Sequence, residues 1–152
     1  MLSDLGSPMG SRTMIPGGHA AYLAWVEARS SFIHGNYIAT VQLCQGLLEH
    51  VLAAFLGMGL HGEDLPERIG FRETLGRCKK RGLLMDADVV DLENLMALRN
   101  PLSHFRDFND QSSLDRRTID KKIVAEDLLH HDAVFAIGVA VRVLAKPEFN
   151  LG

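Results

Sequence analysis

Apolar residues recur at helical spacing along most of this chain, and no stretch alternates apolar and polar positions for long enough to make a strand. The clearest pattern spans 37–56, where Tyr37, Val41, Cys44, Leu48, Val51, Leu52 and Phe55 form one stripe. Beside it runs a polar line, Gln42, Gln45 and Glu49, whose spacing places all three on one face. Residues 20–34 predict an earlier helix carrying Tyr22, Trp25, Val26 and Phe32, with Gly35-Asn36 as punctuation. Residues 71–81 predict a short helix with Phe71, Leu75 and Cys78 inward and Gly82 placed to end it. In 86–98 the stripe is Val89, Leu92, Leu95 and Met96. Residues 121–129 allow a further short helix. The segment 133–145 is apolar on nearly every side, broken mainly by Gly138 and Arg142, so it is either central in the core or half-covered by a second subunit. Pro147 ends it.

These elements predict an all-α protein: one compact domain over 19–149, a bundle of four long helices and one short helix. Residues 1–18 are broken by Gly6, Pro8, Gly10, Pro16, Gly17 and Gly18 and read as a flexible leader. The glycine-rich connection 57–70 places His61 and Glu63 in solvent. The polar stretch 106–120 reads as a long loop, a length that is usually functional or disordered.

Composition narrows the function classes. The chain has 152 residues, 47% of them apolar, enough for one domain with a sizeable core. A net charge of −3 excludes a generally basic nucleic-acid coat, so any RNA contact must be a local patch. Cys44 and Cys78 fall on apolar helix faces, which fits buried thiols in a reducing compartment better than a disulfide framework. No apolar run of the length of a membrane span is evident, and no basic region with an apolar core opens the chain. A cytoplasmic protein without a membrane partner is expected. Phosphate-loop, dinucleotide and Gly-x-Ser-x-Gly motifs are missing, as is the Glu-x-x-His pair of di-iron bundles. His130-His131-Asp132 has ligand chemistry but reads better as the start of the last helix, with Asp132 favourable near its N-terminus. Neither metal nor cofactor is expected.

The candidate chemistry lies in 98–105, Leu-Arg-Asn-Pro-Leu-Ser-His-Phe. Arg99 continues the apolar stripe of its helix and therefore calls for a buried acidic or polar partner. Glu49 is the candidate, the alternative being an ordinary solvated glutamate. Pro101 disfavours helical angles at Asn100, which predicts that the helix stops or kinks there, with Asn100 as N-cap and Pro101 opening a new turn. Arg99 and His104 would then flank free backbone N–H groups, a combination suited to a phosphodiester. Ser103 adds a further hydrogen bond. Arg106, Arg116 and Arg117 are candidate RNA contacts or, equally, a solvated face. Arg77, Lys79, Lys80 and Arg81 complement the dipole of their helix or, on the sharper reading, rim a phosphate site.

Arg99-Asn100-x-x-x-His104 at the end of the penultimate long helix resembles the Arg-x4–6-His signature of the HEPN superfamily. The resemblance extends over roughly 20–149, through Phe71-Arg-Glu-Thr-Leu, Cys78-Lys-Lys-Arg-Gly-Leu-Leu and Asp91-Leu-Glu-Asn-Leu-Met-Ala-Leu-Arg-Asn. It implies a small helical domain of a superfamily rich in metal-independent endoribonucleases of toxin–antitoxin, CRISPR and antiphage systems. On that implication His104 is the general base or acid and Arg99 clamps the non-bridging phosphate oxygens, with Asn100 orienting phosphate or imidazole. One histidine does not readily serve as both acid and base, and a homodimer with two signatures across a two-fold axis supplies the second set. The products would be a 2′,3′-cyclic phosphate and a 5′-hydroxyl. Some HEPN toxins carry a tyrosine two residues after the histidine, adenylylated by a nucleotidyltransferase antitoxin; here that position is Arg106, which puts that mode of silencing in doubt. A second reading is of a different class. The middle helices also look similar to mannitol-repressor-type regulators, non-catalytic modules that bind a protein partner, and then Arg99 and His104 hold the fold or an interface.

Overall fold

The computed structural model describes residues 15–58, 61–103, 107 and 110–149. Among these there are six α-helices and no strand. In chain order they are α1 (Gly18–Ile33), α2 (Tyr37–Gly57), α3 (Phe71–Lys80), α4 (Asp86–Ser103), α5 (Leu114–Lys121) and α6 (Ala125–Leu144), followed by a 3-10 turn, Pro147–Phe149.

The central element is α2, which packs against α1, α3, α4 and α6. Val41, Cys44, Leu48, Val51 and Leu52 of the predicted stripe are buried, and Tyr37 and Phe55 pack at its ends. By length and mean hydropathy this helix also passes for a bilayer span, contrary to the expectation that no run reaches that size. Here that apolar surface is what the surrounding helices cover.

The neighbours' directions follow from cross-helix contacts. Ser31 and Thr40 share a hydrogen bond at 2.9 Å, so α1 folds back on α2. Arg81 donates to the Leu56 carbonyl at 3.2 Å, which places the start of α4 near the end of α2, and Gln42 meets Leu102 near α2's beginning. α4 is therefore antiparallel to α2. α6 runs parallel to α2, since its His130 meets the Tyr37 ring edge-on while Phe149, just past its end, packs edge-on against Phe55.

Two helix ends close by the same device. Gly35 (φ 78°) and Gly82 (φ 82°) adopt left-handed angles that side chains disfavour. Asn36 N–H then reaches the Ser31 carbonyl at 2.8 Å, and Leu83 N–H the Cys78 carbonyl at 3.0 Å.

Three expectations are corrected. First, α4 does not break at Asn100: it continues through Pro101 to Ser103. The proline withholds one N–H from the Ala97 carbonyl, but Ala97 is exposed, where a missing helix bond costs less than in the core. Helical continuation keeps Leu98 and Leu102, one turn apart, packed against the core, and that burial outweighs the local preference. Second, 106–120 is not one long loop. Ser113 caps α5, its hydroxyl accepting from Arg116 N–H at 3.1 Å. The described helices are accordingly four long and two short. Third, the last helix starts at Ala125, absorbing most of the separate short helix expected over 121–129. His130-His131-Asp132 thus lies in its second turn. The domain's start is also earlier than a leader over 1–18 implies, because Ile15 packs against the core and Pro16 is buried.

Candidate functional site

The last two turns of α4 carry the described part of the signature. Arg99 follows Leu92 and Leu95 on the inward stripe and is itself half-buried. Its guanidinium donates to Asn100 Oδ1 at 3.4 Å, and among the described residues no carboxylate pairs with it. Asn100 is helical and half-buried, so it is no N-cap. The predicted anion site at a helix N-terminus is therefore not formed at Asn100. Arg99 sits instead near a helix C-terminus, where the backbone offers carbonyls rather than N–H groups. His104 and Arg106 lie outside the described residues.

Ser103 is exposed and accepts from Gln42 Nε2 at 3.2 Å, while the same amide reaches the Leu102 carbonyl at a long 3.4 Å. Gln42 thus satisfies a terminal carbonyl of α4 and ties the end of that helix to α2. The sequence placed Gln42 in the polar line beside the α2 stripe but assigned it no role; the polar line was the signal.

Glu49 is not the direct partner of Arg99. Its carboxylate accepts from Gln45 Nε2 at 3.3 Å. Register explains the difference. In an antiparallel pair, one turn from Gln42 to Gln45 along α2 matches one turn from Leu102 back to Arg99 along α4. Glu49 lies a further turn, about 6 Å, up the axis. Gln45 is 1% exposed, and its Oε1 is the one buried side-chain oxygen or nitrogen among the described residues that has no hydrogen-bond partner.

The RNA-contact candidates fare differently. Arg117 is not free to bind RNA: both of its terminal nitrogens are held by Asp132, at 2.8 and 2.9 Å, in a pair that docks α5 on α6. Asp132 was the missed signal, a carboxylate on the apolar face of α6 beside Ala133 and Ala136, which calls for a cation. Arg116 pairs with Asp120 one turn on, with both side chains well exposed.

The basic end of α3 is also mostly occupied. Arg77 bonds Glu73 and Glu63, and both carboxylates raise its pKa. Arg81 pairs with Glu63 and lies over the Phe55 ring, and Lys79 meets Asp86. Glu63 is accordingly half-buried rather than solvated, whereas His61 is exposed as expected. Among the described residues no group of three His, Cys, Asp or Glu side chains is placed to hold a metal.

Next to Gln42 lies an open groove of about 680 Å³ between the α1–α2 corner and the start of α6. His34, Asn36, Tyr37, Glu126 and Leu129 line it together with Gln42. Phe32, Tyr37 and His130 form a ring cluster beside it, with centroids 5.1–5.9 Å apart.

No family model matches the chain, and no match is found among curated proteins or solved structures. A functional reading therefore rests on the residues themselves.

Both cysteines are buried. Burial alone pushes the Cys44 thiol up to about 12. For Cys78 burial is again the main cause of a pKa near 12, with Arg81 opposing it and Glu63 adding to it. Neither is a nucleophile at neutral pH.

Proposed function

We propose that this chain is a metal-independent endoribonuclease of HEPN type, working as a homodimer, with Arg99 and His104 as its catalytic residues. The observation that carries the reading is the state of Arg99. It is a half-buried guanidinium on the inward face of a long helix that faces no carboxylate among the described residues. Desolvating a cation without a counter-charge is costly, and a phosphate oxygen is the partner that its fork of donors fits. In this reading Arg99 holds the scissile phosphate, Asn100 orients the phosphate or the imidazole, and His104 moves the proton. The second subunit provides the complementary acid or base. A toxin or defence role, with a protein antitoxin as partner, belongs to the same proposal.

The test is cleavage of a structured RNA by the purified protein in excess EDTA, beside Arg99→Ala and His104→Ala. Cleavage that survives chelation and falls about 10²-fold or more in each folded variant supports the reading. Intact RNA with a folded dimeric wild type defeats it.

A second reading, a helical interaction module or regulator, is favoured by a separate observation. Val134 and Val141 are about half exposed and lie two turns apart on one face of α6. An apolar helix face of that kind suits a protein partner.

A further inference from the structure

Gln45 is buried to 1% exposure, yet its Oε1 has no partner among the described residues. Its Nε2 is committed to Glu49 at 3.3 Å, which fixes the orientation of the amide and leaves the carbonyl as the free end. Buried carbonyls without donors are rare, because they lose water and regain nothing. The contacts of Gln42 with Leu102 and Ser103 set the α2–α4 register, and that register puts Gln45 level with Arg99. Arg99 has five N–H donors, and its one side-chain hydrogen bond among the described residues is the long contact to its chain neighbour Asn100. Adjacent helix residues do not face one another, so that contact turns the guanidinium sideways.

We propose that Gln45 is the positioning residue for Arg99: the guanidinium turns inward and donates one N–H to Gln45 Oε1, leaving its other donors for phosphate. Glu49 acts through Gln45. Its carboxylate holds the amide and polarises it toward Arg99, so an acid one turn beyond Gln45 steadies the cation without a direct ion pair. The phosphate role rests on the ribonuclease reading; the Gln45–Arg99 contact does not.

The contact is tested by a double-mutant cycle of thermal unfolding with Gln45→Met, which keeps the volume and removes the acceptor, and Arg99→Ala. With Arg99 present, Gln45→Met breaks a bond and leaves Tm level or lower. With Arg99→Ala the carbonyl is an orphan, and Gln45→Met raises Tm by a few degrees. Equal Tm changes in the two backgrounds overturn the proposal. A second measurement follows the Arg99 Nε–H resonance by NMR, assigned with Arg99→Lys. Gln45→Met is expected to shift it and speed its solvent exchange, and an unchanged resonance overturns the contact. Where wild type cleaves RNA, Gln45→Met is expected to lower kcat several-fold with KM nearly unchanged, and an unaltered kcat removes the positioning role. A chain that cuts no RNA but shows the Tm coupling retains the contact and loses the ribonuclease reading.

Discussion

Arg117 and Arg99 are two partly buried arginines with opposite circumstances. Arg117 has both terminal nitrogens on Asp132, and its side chain is 16% exposed against 8% for the carboxylate. Arg99 has a neighbouring amide and, among the described residues, no acid at all. The first is fully used in holding α5 to α6 and has no donor pair left for a ligand. The second retains most of its donors beside a helix end that Gln42 ties in place. Residue type and sequence neighbourhood made both look like phosphate contacts. What separates them is the charge on the helix opposite.

The difference is broken most severely at Asp132. Asp132→Ala leaves Arg117 buried and unpaired, and a loss of about 3–5 kcal/mol is expected in chemical denaturation, with α5 exchanging its amides early. Replacing both partners by apolar residues of similar size is expected to recover much of that loss. Arg99→Ala is the converse. Stability should fall by about 1–2 kcal/mol, the cost of the orphaned Gln45 carbonyl, while RNA cleavage falls about 10²–10³-fold. If Arg99→Ala unfolds the chain instead, Arg99 is architecture, as Arg117 is.

A smaller effect sharpens the same contrast at the other end of α4. Asp88 is resisted by burial, but the Met85 N–H at 2.8 Å and Lys146 at 2.9 Å outweigh it and hold its carboxyl below the ordinary 3.8. A lowered folded pKa adds stability above the unfolded value, and that stability is lost as the pH falls through the folded one. Asp88→Asn should therefore cost about 1 kcal/mol near neutral pH, and the gap from wild type should close below pH 3.8 in acid titration of unfolding. The smallest effect is expected at the two thiols. Cys44 and Cys78 should react with a thiol reagent at pH 8 only when denaturant opens the bundle, because burial holds both near 12.

Much of the fold was legible in the chain. The α2 stripe, the inward residues of α3 and the closure at Gly82 all follow from spacing and from one residue's backbone freedom, which are local properties. Pro101 was misread because its penalty is local whereas the burial of Leu98 and Leu102 is not. α5 was hidden because its eight residues present little apolar surface, and Asp132 on another helix anchors it. Of the candidate site, Arg99 on an inward stripe was readable; that Glu49 is held by Gln45 rather than paired with Arg99 was not.

By itself, then, the sequence determined which residues are apolar at helical period, where glycine can turn the chain, and that an arginine falls on a buried face. Tertiary structure decided which arginine met a carboxylate, because register and helix direction bring together residues as far apart as Gln42 and Ser103 or Arg142 and Asp91. Charge pairing depends on a few ångströms across two helices, and no spacing within one helix contains that distance.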